Sequence, residues 1–293
     1  MELFSGSAVA LVTPFADGKV DFPALEALIE AQIAARTDAI VVLGTTGEPS
    51  TLLPEERREI IACAKERIGA QAQLIVGAGA NCTRTAVGYA EEAEALGADA
   101  ILVVTPYYNK ASEEGLLRHF TAVAEVVSLP VILYNVPGRT GVNLSPETAA
   151  RLTEHPRIRG IKEASGSIAQ ISRLAELMGE CAALYAGNDS EILPVLALGG
   201  RGVISVAANI VPAEVKALTT AWQTGKAETA RALQLRLLAL TRALFAEVNP
   251  IPVKAALSLM GRIRNELRLP LCPLEGDALR RLASVLSAYG LLS

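Results

Sequence analysis

Lys162 stands at the end of a short apolar run, Ile158-Arg159-Gly160-Ile161-Lys162. Such a run is typical of a buried parallel strand, and a lysine is almost never fully buried without a function. Burial lowers the pKa of an ammonium group, so part of the lysine becomes the free amine that attacks a ketone and forms a Schiff base. A single lysine is more often solvent-exposed, so this interpretation depends on the polar residues that accompany it.

One group of small polar residues, Gly44-Thr45-Thr46-Gly47-Glu48, follows another apolar run. Glycine and small hydroxyl residues allow successive backbone N–H groups to point into one concavity, which can hold a carboxylate. Glycine and threonine are also common in any tight turn, so the motif alone is weak evidence for a binding site.

Aromatic and cationic residues follow two further runs. Tyr107 and Tyr108 lie after the fourth run, where a subunit contact and a role in the site are equally compatible with the sequence. After the fifth run, Tyr134 is followed five residues later by Arg139. A phenol can relay a proton, and a guanidinium can grip a carboxylate with two hydrogen bonds. Ala186-Gly187-Asn188-Asp189 and Ile204-Ser205 add further polar groups after the seventh run and at the eighth.

The positions of the histidines and cysteines do not favour a hydrolase, a zinc site or a redox site. His119 and His155 fall within or at the end of helical patterns, which predicts surface positions away from these polar groups. A serine-histidine-aspartate hydrolase is therefore not expected. The four cysteines are far apart, so neither a zinc site nor a redox pair is predicted, and they are expected to be reduced thiols.

The elements that must position these groups are eight short apolar runs alternating with helical patterns. A barrel of eight strand-helix units brings the carboxyl ends of all strands to one rim, where active sites form. An open doubly wound sheet is the alternative, but no G-x-G-x-x-G follows the first run and the units are evenly spaced. The runs cover residues 7–13, 39–43, 74–77, 100–105, 131–134, 158–162, 182–186 and 202–206.

The strand signal ends near residue 225. Residues 227–247, 252–260 and 277–289 have helical patterns, so the sequence predicts a (β/α)8 barrel over residues 1–225 and a small helical C-terminal region over residues 226–293.

Composition excludes several functional classes. The chain has 293 residues, is 51% hydrophobic and carries a net charge of -4, which favours a large core and no binding of nucleic acid or acidic membranes. The first residues contain no basic segment, and no apolar stretch has the length of a membrane span. A cytoplasmic protein acting on small molecules is expected.

Five motifs in order give a more specific prediction, because together they resemble the dihydrodipicolinate synthases, also called 4-hydroxy-tetrahydrodipicolinate synthases, of the class I pyruvate aldolase superfamily. The resemblance extends over essentially the whole chain. The motifs occupy residues 44–48, 107–110, 134–140, 161–164 and 249–254.

The resemblance implies a condensation of pyruvate with L-aspartate 4-semialdehyde on the route to diaminopimelate and lysine. Lys162 would form an imine with pyruvate, whose protonated nitrogen accepts electrons when C3 loses a proton. The enamine then attacks the aldehyde. No metal or organic cofactor is needed, because the lysine itself supplies the electron sink.

The resemblance also implies roles for individual residues. Tyr134 would shuttle protons, linked through the Thr45 hydroxyl to Tyr108 of a neighbouring subunit, in a homo-oligomer that the family suggests is a homotetramer. Thr46 would hold the pyruvate carboxylate and Arg139 the carboxylate of the aldehyde. The backbone carbonyls of two further residues would line the pocket, namely those of Gly187 and Ile204.

The sequence departs from the family where lysine-sensitive members bind their inhibitor. Asn81 and Tyr107 are retained, but Pro54, Arg57 and Thr85 stand where histidines and a glutamate are expected. We therefore predict weak or absent inhibition by L-lysine.

Two alternative functions keep the same barrel. An N-acetylneuraminate lyase or a 2-keto-3-deoxy sugar acid aldolase would share Lys162, but Arg139 suits a carboxylate-bearing acceptor better than a sugar. A keto-acid sensor without catalysis is compatible with the fold alone, but it would not need a nucleophile beside a proton relay.

Overall fold

The structure, a computed structural model, describes residues 2–292. Eight parallel strands form a closed barrel in which each strand pairs with the next along the chain and the last pairs with the first. Closure confirms the predicted (β/α)8 barrel and excludes the open sheet. The strands are β1 (Gly6–Ala10), β2 (Ala39–Val42), β3 (Gln73–Gly77), β4 (Ala100–Val104), β5 (Val131–Asn135), β6 (Ile158–Glu163), β7 (Ala183–Ala186) and β8 (Gly202–Ser205).

A helix follows every strand, and local signals fix several helix ends. Ser145 caps one helix by accepting a hydrogen bond of 3.2 Å from the Thr148 N–H, with Pro146 in the first position. The helices are α1 (Phe22–Ala34), α2 (Pro54–Ile68), α3 (Thr83–Ala95), α4 (Glu113–Glu125), α5 (Pro146–Thr153), α6 (Ile168–Met178), α7 (Ile192–Ala197) and α8 (Pro212–Gln223).

Side chains along each strand alternate between the barrel interior and the layer beneath the helices. Tyr185 is the largest fully buried side chain in the interior, and small alanines on β1 and β2 leave room for it. Tyr134 and Lys162 are register partners on β5 and β6, so their side chains share the interior face. The alternation therefore delivers both groups to the carboxyl-terminal mouth of the barrel.

Two local features differ from the sequence prediction. A hairpin of Phe15–Ala16 with Lys19–Val20 was not predicted, because strands of two residues have no periodicity to detect. Strand β6 extends one residue beyond Lys162, to Glu163, which is fully buried on the opposite face. Lys162 is thus the penultimate residue of its strand.

The C-terminal region is helical, as predicted, with α9 (Ala227–Leu244), α10 (Ile251–Leu259) and α11 (Gly276–Tyr289). Leu237 and Leu240 of α9 belong to the same hydrophobic cluster as Val203 of β8. The C-terminal helices therefore share the core of the barrel, and a domain division at residue 225 stays a prediction. Among residues 2–292, no helix is both long and apolar enough to span a membrane.

Candidate active site

Lys162 lies in the barrel mouth with 4% of its surface exposed. Removal from water disfavours the ammonium and lowers the pKa of Lys162 to about 8, with the positive charge of Arg139 acting in the same direction and the carboxylate of Asp189 opposing both. With a pKa of about 8, roughly a tenth of the lysine is free amine at pH 7, far more than for an ordinary lysine. The structure thus provides the nucleophile that the sequence predicted at this position.

Tyr134 lies beside this amine. The Nζ atom of Lys162 lies 4.5 Å from the centroid of the Tyr134 ring. Burial raises the pKa of Tyr134, while the charge of Arg139 and a hydrogen bond from the Thr45 side chain oppose the rise. The phenol therefore keeps its proton until a stronger base takes it, which suits a group that donates and recovers protons.

Asp189 is a buried carboxylate that the sequence placed after the seventh strand without assigning it a role. Its side chain accepts hydrogen bonds from the Ser205 hydroxyl and, at 3.0 Å each, from the N–H groups of Val206 and Ala207. Burial raises the pKa of Asp189, and these hydrogen bonds and the Lys162 charge counteract the rise. The sequence indicated a role for Asp189 only through its position in the loop after β7.

The loop after β2 forms a tight 3₁₀ turn over Thr45–Gly47. The Thr13 hydroxyl donates to the Gly47 carbonyl at 2.8 Å and so ties the turn to the segment after β1. Glu48 follows in a left-handed conformation with φ of 52°, and its carboxylate turns inward to the C-terminal region. The turn presents Thr45 and Thr46 to the barrel mouth.

Lys162, Tyr134 and the two threonines line one cavity of ≈50 Å³, which Asp189 and Glu48 do not line. It brings together six of the eight predicted site residues, and it also includes Asn249 of the C-terminal region, for which the sequence predicted no role. The six are Thr45, Thr46, Tyr134, Arg139, Lys162 and Gly187.

The two other predicted residues lie elsewhere. Ile204 is fully buried in the barrel interior and is not among the residues that line the cavity, whereas its neighbour Val206 is. Tyr108 is 87% exposed, far more than any other tyrosine named here, and adopts a φ of 73° that only a few per cent of non-glycine residues show. Its ring does not line the cavity of its own chain.

Arg139 lies on a short helix, Pro137–Thr140, that follows β5. Its Nη2 donates to the backbone carbonyl of Asn249 at 2.9 Å. A guanidinium has five N–H donors, so most of them stay available for an incoming carboxylate. Gly187 forms part of the opposite wall, where a Cβ would lie 2.6 Å from the Ala164 Cβ and 2.7 Å from the Glu163 carbonyl oxygen. Glycine is therefore required there.

A second cavity of ≈440 Å³ adjoins the first and shares Thr45, Tyr134 and Arg139 with it. Its wall contains four of the five residues at which the chain was compared with lysine-sensitive members, namely Arg57, Asn81, Thr85 and Tyr107. The fifth, Pro54, does not line it. The Arg57 guanidinium stacks 3.7 Å from the centroid of the Tyr89 ring, and burial lowers its pKa. A buried cation in this wall repels an ammonium group.

The prediction for His119 was wrong, because this residue lies on the buried face of α4 rather than on the surface. Its Nδ1 lies 3.0 Å from the Thr83 hydroxyl, and burial lowers the pKa of the imidazole to about 4. Packing of α4 against α3 decides this burial, and the helical pattern alone could not show it. Within residues 2–292, no cluster of three histidine, cysteine or acidic side chains has the arrangement of a metal site.

Comparison with known proteins agrees with this geometry. Residues 3–289 match the family model described as the dihydrodipicolinate synthetase family. The 4-hydroxy-tetrahydrodipicolinate synthase of Alkaliphilus oremlandii is 52% identical over 273 residues, which cover 93% of this chain and 94% of that protein. The enzyme of the same name from Citrifermentans bemidjiense is 51% identical over 290 residues. The matched residues cover 99% of this chain and 100% of that protein.

Solved structures give the same result. A dihydrodipicolinate synthase from Thermotoga maritima superposes with a TM-score of 0.97 at 43% identity, covering 99% of this chain and 100% of that one. A dihydrodipicolinate synthase from Acinetobacter baumannii, solved in complex with pyruvate, also has a TM-score of 0.97, at 44% identity and the same coverage. With its closed barrel, its buried lysine and these matches over almost its whole length, the chain belongs to the dihydrodipicolinate synthetase family.

Proposed function

We propose that the chain is a 4-hydroxy-tetrahydrodipicolinate synthase, a lyase that condenses pyruvate with L-aspartate 4-semialdehyde in the lysine and diaminopimelate pathway. Relatives at about half identity over nearly the full chain carry this name. The observation that carries the proposal is the Lys162 amine, with its pKa lowered to about 8, enclosed in a small cavity beside Tyr134.

The reaction starts when the free amine of Lys162 attacks C2 of pyruvate. The carbinolamine loses water and becomes a protonated imine, and the positive nitrogen accepts electrons as C3 gives up a proton. The enamine carbon attacks the aldehyde of the semialdehyde and forms the new carbon–carbon bond. The amino group of the semialdehyde then displaces Lys162 from C2 by closing the ring, and the enzyme is regenerated.

Tyr134 moves the protons that these steps require. It takes part in the formation and loss of the carbinolamine hydroxyl, close to the Nζ atom of Lys162. Thr45 hydrogen-bonds Tyr134 and continues the relay toward the protein surface. Tyr108 completes the relay from a neighbouring subunit, and its exposure in the single chain supports this assignment.

Substrate binding falls to residues around the same cavity. Thr46 binds the pyruvate carboxylate through its N–H and hydroxyl, and Arg139 binds the carboxylate of the semialdehyde. We assign the backbone carbonyl of Gly187, a residue that lines the cavity, to substrate contact. We also assign the backbone carbonyl of Ile204, on β8, to substrate contact, although Ile204 does not line the cavity.

The proposal extends to assembly and location. A homo-oligomer, in the family a homotetramer, provides the second subunit that Tyr108 needs. A cytoplasmic enzyme fits its small, diffusible substrates. We also keep the proposal of a catalytic barrel over residues 1–225 with a helical region over residues 226–293.

The test is pyruvate-dependent turnover by the purified protein with three aldehydes: L-aspartate 4-semialdehyde, N-acetylmannosamine and glyceraldehyde. The proposal predicts rapid condensation with the semialdehyde alone and loss of this preference in Arg139→Ala. A preference for a sugar aldehyde would instead assign the chain to the sugar acid lyases. Pyruvate binding without turnover of any aldehyde would indicate a sensor.

A further inference from the structure

Asn249 connects the two groups to which we assign substrate carboxylates. It lies between α9 and α10, is 5% exposed and lines the cavity of Lys162. Its side-chain Nδ2 donates to the Thr46 hydroxyl oxygen at 2.8 Å, and its backbone carbonyl accepts from Arg139 at 2.9 Å. A residue more than 200 positions away from Thr46 thus contacts the binding groups of both substrates.

We infer that Asn249 is a positioning residue that directs the Thr46 hydroxyl proton toward the pyruvate carboxylate, an inference that rests on the proposed function. An amide NH₂ group can only donate, so Thr46 accepts in this hydrogen bond. Its own O–H then has to donate elsewhere. Thr46 lines the cavity, where the carboxylate of bound pyruvate would be the strongest acceptor for this proton.

A buried ion pair holds both partners of this contact in place. Lys254, on the helix that follows Asn249, places its Nζ 2.6 Å from the carboxylate of Glu48, two residues after Thr46. The other carboxylate oxygen of Glu48 accepts from the Arg268 N–H at 3.1 Å. The loop after β2 and the segment after α9 are therefore held together next to the Thr46–Asn249 contact.

The side chain of Asn249 is only partly hydrogen-bonded in the fold. Its Oδ1 is buried and, in the described part of the chain, has no hydrogen-bond partner, which costs stability. Replacement of the side chain removes one hydrogen bond but also one unpaired acceptor. Effects of substitution on substrate binding can therefore be separated from effects on stability.

The experiment measures two half-saturating concentrations in Asn249→Ala and Asn249→Asp: that of pyruvate, from borohydride trapping, and that of the semialdehyde, from turnover. In Asn249→Ala the Thr46 hydroxyl is no longer oriented, and the value for pyruvate is expected to rise about fivefold. In Asn249→Asp the carboxylate accepts the Thr46 proton and repels pyruvate, so a rise of about fiftyfold is expected. The value for the semialdehyde changes little in Asn249→Ala, since the backbone carbonyl that holds Arg139 is retained. In Asn249→Asp it rises less than the value for pyruvate, because the new charge also repels the carboxylate of the semialdehyde.

Two controls make the result specific. Gln223→Glu, an amide-to-acid change on the exposed surface, is expected to leave both values unchanged. In a Thr46→Val background, Asn249→Ala is expected to have no further effect on pyruvate, because the hydroxyl that it orients is absent.

Equal increases for both substrates, or pyruvate values within about twofold of the parent in both variants, would overturn the inference. Absence of trapping in the parent protein would instead refute the proposed function itself. Thermal denaturation tests whether both variants are folded. If Asn249→Asp does not fold, the pyruvate value of Asn249→Ala decides the question.

Discussion

Lys254 and Glu48 form an ion pair of 2.6 Å whose side chains are 0% and 1% exposed. The Phe15 ring covers the ammonium, with its centroid 4.1 Å from the Nζ atom. The pair joins the C-terminal helices to the loop that carries Thr45 and Thr46. Burial lowers the pKa of Lys254, and the adjacent carboxylate opposes this shift and keeps the charged form accessible.

Removal of one partner of this pair leaves the other charge buried and unpaired. We expect Lys254→Met to destabilise the fold by about 3–5 kcal/mol and to lower the melting temperature by roughly 10 °C. The double variant Glu48→Gln/Lys254→Met should recover much of this loss, because no buried charge is left. A single variant as stable as the parent would show that the pair does not anchor the loop.

The pH dependence of imine formation follows from Lys162. Because only the free amine attacks pyruvate, the rate of borohydride trapping should rise with pH through about 8, the pKa that burial produces. A rate that rises only near the ordinary lysine pKa would mean that Lys162 is solvated.

Asp189→Asn tests the charge that favours the Lys162 ammonium. Without this carboxylate the pKa of Lys162 falls further, so the acidic limb of the trapping profile should shift to lower pH. Ser205→Ala, which removes a donor to Asp189 but keeps the charge, serves as the matched control. An unchanged profile in Asp189→Asn would show that the carboxylate does not act on the lysine.

Gly187→Ala is expected to abolish most activity, because the new Cβ would meet the Ala164 side chain and the Glu163 carbonyl at less than van der Waals distance. The wall next to Lys162 must then shift. Gly88→Ala on α3 is the matched control, since no atom lies within 4 Å of its added Cβ, and it should keep full activity. Comparable kcat values for the two variants would refute the requirement for glycine at residue 187.

Inhibition by L-lysine is expected to be weak or absent. Arg57 contributes a buried cation to the second cavity, and Thr85 offers no charge to pair with the ligand ammonium. Turnover should be unchanged in submillimolar L-lysine. Half-inhibition in that range would contradict the prediction.

His119 makes stability depend on pH. Its pKa is lowered to about 4 in the folded chain against 6.5 for the free side chain, so below pH 6.5 the unfolded chain binds a proton that the folded chain excludes. The contribution of His119 is complete above pH 6.5 and is lost as the pH falls toward 4. The melting temperature of His119→Gln should fall less steeply across this window than that of the parent or of the control His155→Gln. Parallel curves would show that His119 is accessible to protons when folded.

The barrel was predictable because each strand is an apolar run closed by a turn signal, and because the carboxyl ends of parallel strands share one rim. Lys162 and Tyr134 could be placed together for the same reason. The roles of Asn249, Lys254 and Asp189 could not be read in this way. Their contacts join segments far apart in the chain, and neither periodicity nor local motifs specify which helix of the C-terminal region reaches which loop. The burial of His119 likewise depends on how two helices pack.

The central claim is that Lys162 forms an imine with pyruvate, and borohydride reduction tests it most directly. With pyruvate present, reduction should attach the three-carbon acid irreversibly to the protein, and peptide mass analysis should locate the adduct on Lys162. Lys162→Ala should take up none. An adduct that persists in Lys162→Ala, or none in the parent protein, would contradict the account.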